Sequence, residues 1–186
     1  CFPIQDNLDY DDAALSEPLA IGVYAVKQSI PMQNAAVGIL GFGPIGMSVL
    51  LPAQAKGANR FFVTDKVDAR LEMARKYGAT WAGHPEKDPV IDEIKNLEPN
   101  MLDVVFECCG QQEAIDQAVD ALKPGGKLMI IGIPEFDRWS FSVDKLRHKE
   151  ITITNVRRQN ECVQDTLDMI SAGQIDAKKM VTHRFP

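Results

Sequence analysis

The sequence predicts an α/β protein with a doubly wound parallel sheet, in which helices cover both faces of the strands. Three observations lead to this prediction. Short apolar segments of strand length alternate with helical patterns along the chain. The fifth such segment, Lys127–Ile133, is almost wholly apolar, as expected of a strand that is covered on both faces. A glycine-rich turn also joins the first strand to the helix that follows it.

The first 33 residues are expected to lie outside the sheet. Residues 1–15 are interpreted as an acidic, irregular arm, and Glu17–Pro18 as a boundary, because the residue before proline is driven away from helical geometry. A helix from Pro18 to Lys27 is apolar around most of its circumference, which is typical of a buried or interdomain helix. Since the chain begins at Cys1 without an initiator methionine, we expect a fragment of a longer protein.

The remaining elements alternate along the chain. Their predicted bounds are strand 37–40, helix 44–56, strand 60–65, helix 69–77, strand 80–82, helix 90–97, strand 103–107, helix 111–122, strand 127–133, strand 151–154, helix 161–171 and a strand beginning at 180–182. Pro52 should kink or loosen the helix over 44–56, because it removes one backbone hydrogen bond. The stretch before the sixth strand is interpreted as a loop rich in aromatic and charged residues.

Composition and charge are ordinary for a globular protein. The 186 residues are 45% hydrophobic and 25% charged, with a formal net charge of −6. This charge argues against nucleic acid or an anionic membrane as a partner, and no apolar run approaches the roughly 20 residues of a membrane span. The four cysteines show no C-x₂-C spacing, so we expect reduced thiols, no metal ligands and a cytoplasmic location.

The turn between the first strand and its helix carries the pattern G-x-G-x-x-G. Gly41 would allow the tight turn, Gly43 would let the backbone approach a pyrophosphate, and Gly46 would let the helix pack against the strand. Pro44 suits the first helical turn, where its missing N–H is not needed. The amides of that turn would face phosphates, so the pattern predicts a dinucleotide site.

An acidic residue ends the second strand. Asp65 lies about 20 residues beyond Gly43, the spacing at which a carboxylate meets the ribose hydroxyls of a bound dinucleotide. A carboxylate there favours NAD over NADP because it repels a 2′-phosphate, although Lys66 and Arg70 nearby weaken that argument. The alternative interpretation is a glycine turn followed by a solvated aspartate.

Two later strand ends should meet the glycine turn, because ligands of such sheets bind outside the carboxyl ends of the strands. They are Glu107–Gly110, where Cys108 is the candidate cofactor contact, and Gly132–Ile133. Gly110 and Gly132 would each leave room for a cofactor, although either is equally explained as an ordinary turn glycine.

Five motifs together resemble the zinc-dependent medium-chain alcohol dehydrogenases, and within them the sorbitol (polyol) dehydrogenase branch. They are Glu17–Ala20, Gly41–Met47, Val63–Asp65, Glu107–Gly110 and Val181–Pro186. The resemblance covers essentially the whole chain. It implies a Rossmann domain with six parallel strands in the order 3-2-1-4-5-6, hydride transfer between an alcohol and NAD, and flanking pieces of a catalytic domain that holds zinc elsewhere.

The resemblance also assigns roles to individual residues. Cofactor-contacting positions of the family match Ile45, Asp65, Arg70, Ile131, Gly132, Ile133, Val156, Arg157 and Arg158. Glu17 matches a carboxylate beside the catalytic zinc, although from the residues alone it reads as an N-terminal cap of the helix at Pro18. Arg158 also matches a substrate-facing arginine, and Gln159 stands where the polyol branch has a tyrosine.

These observations predict three parts and one function. Residues 1–33 would be an arm and junction helix, 34–155 the NAD-binding domain and 156–186 a return segment. The parent protein would oxidise a secondary alcohol or polyol as a homo-oligomer, with zinc only in its full length and no activity in this chain alone. An S-adenosylmethionine-dependent methyltransferase and a non-catalytic NAD-holding module remain as alternatives.

Overall fold

The computed structural model describes residues 2–184 and contains one six-stranded, all-parallel sheet. The strand order is β3-β2-β1-β4-β5-β6, as predicted. The bounds are β1 Ala36–Leu40, β2 Arg60–Thr64, β3 Trp81–Gly83, β4 Leu102–Glu107, β5 Leu122–Ile130 and β6 Thr152–Asn155. Cys1 and the last two positions of the Val181–Pro186 motif lie outside the described residues.

Helices cover both faces of this sheet. Their bounds are α1 Tyr10–Gln28, α2 Pro44–Ala55, α3 Asp68–Lys76, α4 Val90–Leu97, α5 Gln112–Ala121, α6 Val143–Lys149 and α7 Val163–Ser171, with a 3₁₀ turn at Ala177–Met180. One core joins Val37 and Ile39 of β1 to α1, α2 and α7, and the other joins Ala36 and Leu40 to α4 and α5. Successive side chains of β1 therefore point to opposite faces, and both faces are buried.

The predicted start of the first helix was wrong. Helix α1 begins at Tyr10 within the supposed irregular arm, because Asp9 caps it and Asp12 completes a reciprocal capping box. Pro18 lies inside this helix, and Glu17 is an exposed interior residue, so Glu17 does not cap the helix.

Three predictions in the second half also needed correction. The loop before the sixth strand contains α6, whose first turn is capped by the Ser142 hydroxyl. The strand expected at 180–182 is absent, and within the described residues the chain forms the 3₁₀ turn and then continues without a sheet partner. Strand β5 ends at Ile130, so Ile131–Ile133 form the connection beyond its carboxyl end.

A glycine sets the spacing between α1 and α2. A Cβ atom at Gly22 would lie 1.7 Å from the carbonyl oxygen of Ser48. Pro52 has no N–H to donate to that carbonyl, whose oxygen lies against the Gly22 position instead. No helix among residues 2–184 has the length and apolar character needed to span a membrane.

Candidate dinucleotide site

The glycine turn is held tightly against its neighbours on the side that faces the protein. Gly41 has a φ of +92°, and its N–H donates to the Thr64 carbonyl at 2.8 Å. A Cβ atom at Gly46 would lie 2.1 Å from the Gly41 carbonyl oxygen. These two glycines are therefore required by the fold, whatever binds to the turn.

Gly43 is different, because its side-chain position is open. It precedes α2 with ordinary extended geometry, and the nearest atom to a Cβ built there is Arg70 Nη1 at 3.8 Å. The first α-helical hydrogen bond of α2 runs from Met47 N–H to the Gly43 carbonyl, so the amides of Ile45 and Gly46 precede the helical ladder. The N-terminus of α2 thus presents backbone N–H groups that lie outside the helical hydrogen bonds, together with the positive end of the helix dipole, to a ligand.

Asp65 lies directly against this turn. Its Oδ2 accepts the Phe42 N–H at 2.7 Å and lies 3.4 Å from Arg70 Nη1, while its Oδ1 accepts the Val67 N–H at 2.9 Å. The residue is only 7% exposed. A carboxylate has about four acceptor positions, so Asp65 can organise the turn and still accept hydrogen bonds from a ligand.

A cavity of about 450 Å³ opens beside Asp65. Its lining comes from the ends of β1 and β2, the loop after β3, and the start of α5. The lining residues are Gly41, Thr64, Asp65, Lys66, Val67, Arg70, Pro85, Glu86, Cys109, Gln111, Glu113, Ala114 and Gln117. This size and position, at the edge where the strand order reverses, suit one half of a dinucleotide.

A second cavity of about 210 Å³ lies on the other side of Arg70. It combines Gly43 and Pro44 of the turn with two residues from the end of the chain, Met180 and Thr182. Met180 and Thr182 were not predicted to be site residues, because residues 180–182 were expected to begin a strand.

Glu107 is fully buried at the end of β4. Its Oε1 accepts the N–H groups of Cys109 and Gly110 at 2.7 and 2.6 Å, and its Oε2 has no hydrogen-bond partner among the described residues. A Cβ atom at Gly132 would lie 2.5 Å from Oε2, so both predicted turn glycines, Gly110 and Gly132, are needed for close packing. Glu107 was missed as a positioning residue because its partners are backbone amides, which carry no residue-specific signal.

The two adjacent cysteines beside Glu107 differ in exposure, since Cys108 is half-buried and Cys109 is exposed at the cavity wall. Desolvation and the neighbouring carboxylate raise the pKa of Cys109 to about 12, and burial raises the pKa of Cys108 well above its usual range. Cys109, not the predicted Cys108, lines the larger cavity, while Cys108 packs against the core. Both thiols are neutral near pH 7.

The other predicted site residues do not line either cavity. Ile45 is half-buried near the start of α2, and Ile133 is 90% exposed. In the segment after β6, Val156 is buried and donates its N–H to the Ile130 carbonyl, while Arg157 and Arg158 are exposed. Glu17 is exposed on α1. No group of three histidine, cysteine or acidic side chains among residues 2–184 is arranged to hold a metal ion.

Comparison with known proteins agrees with this geometry. The family described as zinc-binding dehydrogenase matches residues 44–172. The chain is 31% identical to sorbitol dehydrogenase of Bacillus subtilis, covering 99% of this chain and 52% of that protein. It is 29% identical to L-idonate 5-dehydrogenase of Vitis vinifera, covering 100% and 52% respectively.

A solved structure is also similar. It is described as a zinc-binding dehydrogenase of Sinorhizobium meliloti bound to NADP, and it superposes with a TM-score of 0.87 at 27% identity, over 94% of this chain and 52% of that one. The chain therefore spans about half the length of the relatives it matches.

Proposed function

Because the chain belongs to the zinc-binding dehydrogenase family, we propose that it forms the dinucleotide-binding part of an NAD-dependent alcohol or polyol dehydrogenase. The observation that supports this most directly is the pairing of an open Gly43 at the start of α2 with a cavity beside Asp65. An open helix N-terminus suits a pyrophosphate, and a carboxylate with unused acceptor positions suits ribose hydroxyls. The residues present thus fit a nicotinamide dinucleotide, which when bound supplies hydride-transfer chemistry.

The proposed roles divide between backbone and side chains. The amides near Gly43 and Ile45 bind the pyrophosphate, and Asp65 accepts from the adenosine ribose. Arg70, with its guanidinium 3.8 Å from the open face of Gly43, lies between the two cavities and can reach an oxygen in either. The connections Ile131–Ile133 and Val156–Arg158, which lie at the same edge of the sheet, are proposed to contact the nicotinamide half.

The proposed cofactor is NAD. Asp65 is buried beside the glycine turn, where its charge opposes a 2′-phosphate. The Sinorhizobium meliloti relative is bound to NADP, so a direct comparison of the two cofactors is part of any test.

The proposed substrate is a secondary alcohol that carries neighbouring hydroxyl groups. Two relatives are named for sorbitol and L-idonate, and the exposed Arg158 offers five fixed donors for hydroxyl or carboxylate oxygens. Gln159 next to it favours a polar, aldonate-like substrate.

The described residues do not fit a zinc site, so zinc chemistry is not assigned to this chain. Glu17, the proposed zinc-adjacent carboxylate, is a single side chain, whereas a catalytic zinc takes three protein ligands. We propose that zinc, turnover and the closure of the cleft belong to further parts of the protein. The boundaries 1–33, 34–155 and 156–186, the cytoplasmic location and a homo-oligomeric state are also proposed.

Calorimetric titration of this chain with NAD⁺ tests the cofactor assignment. Gly43→Val should lower the affinity at least 100-fold by placing a side chain where the pyrophosphate binds, and should leave the fold intact because that space is open. Ala14→Val, which enlarges a side chain at an exposed position of α1 outside both cavities, is the control and should bind normally. Equal affinity in Gly43→Val and the control would contradict the assignment. A thermal shift with S-adenosylmethionine and none with NAD⁺ would favour a methyltransferase instead.

Steady-state kinetics of the full-length protein test the role of Arg158. Arg158→Leu should lower kcat/KM for alditols or aldonates far more than it weakens NAD⁺ binding, if the guanidinium contacts the substrate. A parallel loss of both would assign Arg158 to cofactor positioning. A preference for an unsubstituted primary alcohol would contradict the polyol assignment.

A further inference from the structure

The charged groups around the larger cavity are arranged in pairs. Lys66 Nζ lies 2.5 Å from Glu86 Oε1, and Arg70 Nη1 lies 3.4 Å from Asp65 Oδ2. All four residues line the cavity, together with the acidic Glu113. Each cation that could attract an additional phosphate is therefore already next to a carboxylate.

We propose that Glu86 is a specificity-determining residue that disfavours a 2′-phosphorylated dinucleotide by occupying Lys66. The inference rests on the proposed function, because it assumes that the adenosine ribose binds at Asp65. A ligand with a phosphate on the 2′-oxygen would bring that phosphate close to Asp65 and to the next residue in the chain, Lys66. Glu86 keeps Lys66 from neutralising the added charge.

Hydrogen bonds within the loop after β3 fix the backbone position of Glu86. Its N–H donates to Nδ1 of His84 at 3.1 Å, and Oδ2 of Asp88 accepts the His84 N–H at 2.6 Å. His84 is only 8% exposed, and its carbonyl accepts the N–H groups of both Lys87 and Asp88. The loop after β3 thus holds Glu86 at the cavity wall, facing Lys66.

The Lys66–Glu86 ion pair is weak, so Glu86 lowers the affinity for a 2′-phosphorylated dinucleotide without preventing its binding. The side chains of Lys66 and Glu86 are 61% and 64% exposed, and exposed ion pairs contribute little to folding. Their mutual hydrogen bond raises the pKa of Lys66 and lowers that of Glu86, so both are charged near neutrality. A phosphate carrying more than one negative charge must therefore compete with Glu86 for Lys66.

Adenosine 2′,5′-bisphosphate and 5′-AMP are the probes, because they differ only in the 2′-phosphate. The ratio of their affinities for this chain is measured by calorimetry at low and high salt. Glu86→Gln should shift the ratio about three- to tenfold towards the bisphosphate, and the shift should shrink at high salt. Glu72→Gln removes the same charge from an exposed position of α3 outside the cavity and should shift the ratio less than twofold.

A double-mutant cycle separates the proposed pairing from a general change in charge. In the Lys66→Met background, Glu86→Gln should leave the ratio within about twofold, because there is no lysine to release. An unchanged ratio in Glu86→Gln alone, or equal shifts with Glu72→Gln or in the Lys66→Met background, would overturn the inference. Failure of the wild-type chain to bind 5′-AMP or NAD⁺ at all would instead contradict the proposed function.

Discussion

The glycine-turn end of the candidate cleft, the closed half, is fixed by hydrogen bonds and close packing on its protein side and leaves only the ligand side at Gly43 open. The end formed by the later strands, the open half, is exposed to solvent. Around Asp65, both carboxylate oxygens accept backbone N–H groups, and Gly41 and Gly46 pack without room for a methyl group. Beyond β5 and β6, by contrast, Ile133 is 90% exposed and Arg157 and Arg158 face solvent. The first half is thus completed by contacts within the fold, and the second half presents side chains with no surface opposite them among the described residues.

This difference indicates how each half recognises a ligand. The closed half uses backbone amides and one carboxylate, which are already in place before anything binds, so little conformational entropy is lost on binding. The open half depends on exposed, long side chains such as arginines, whose ordering on binding has a cost in conformational entropy. We therefore expect binding to this chain to be dominated by the adenosine and pyrophosphate portion.

The largest expected effect is at Asp65. Asp65→Ala leaves the buried N–H group of Phe42 without an acceptor, at about 1–3 kcal/mol in the free energy of unfolding, and removes a second, more exposed hydrogen bond to the Val67 N–H. It should also weaken NAD⁺ binding by about 1.5–3 kcal/mol through the lost charged acceptor. Urea denaturation and calorimetry measure the two effects separately. A loss of affinity with unchanged stability would show that the carboxylate does not organise the turn.

An intermediate effect is expected for the reactivity of Cys109. A pKa raised to about 12 lowers the thiolate fraction at every pH below that value, so alkylation by iodoacetamide at pH 8 should be at least tenfold slower than for a free cysteine. The rate, followed by peptide mass spectrometry, should still be rising at pH 10. NAD⁺ should slow it further, because Cys109 lines the cavity. A plateau of the rate near pH 8.5 would contradict the raised pKa.

The smallest effect is expected in the open half. Ile133→Ser should change the free energy of unfolding by no more than about 0.5 kcal/mol, because the side chain is exposed. Ile130→Ala, three residues earlier and 5% exposed, is the matched control and should cost about 2–5 kcal/mol. A loss above about 1 kcal/mol in Ile133→Ser would mean that this surface is covered in solution, and the contrast between the two halves would fail.

The parts of the structure that follow from local sequence were predicted well. The six strands and the turn at Gly41–Gly46 were expected because apolar segments and glycine spacing are encoded in neighbouring residues, whereas the strand order was expected only from the resemblance to a known family. The early start of α1 was missed because Pro18 was weighed above the capping pair Asp9 and Asp12. Proline inside a helix is tolerated here since α1 is fixed by its packing against α2 and α7.

Features that depend on distant partners could not be predicted from the sequence. Lys149 donates to the carbonyls of Val119, Asp120 and Leu122, which end α5, and burial lowers its pKa. The pairing of Lys66 with Glu86 likewise joins two loops that only the sheet brings together. Charged residues at such positions look like any solvated surface until the strand order is known.

The contact between Gly22 and Ser48 has a mechanical consequence. Helices α1 and α2 pivot about this contact. Glu17 lies about 7 Å from it along α1, and Pro44 lies about 6 Å from it along α2. A single methyl group at Gly22 would push the helices apart by about 1–2 Å at that point. This displacement would shift the N-terminus of α2. Gly22, although remote from both cavities, therefore fixes the orientation of the backbone N–H groups at the glycine turn.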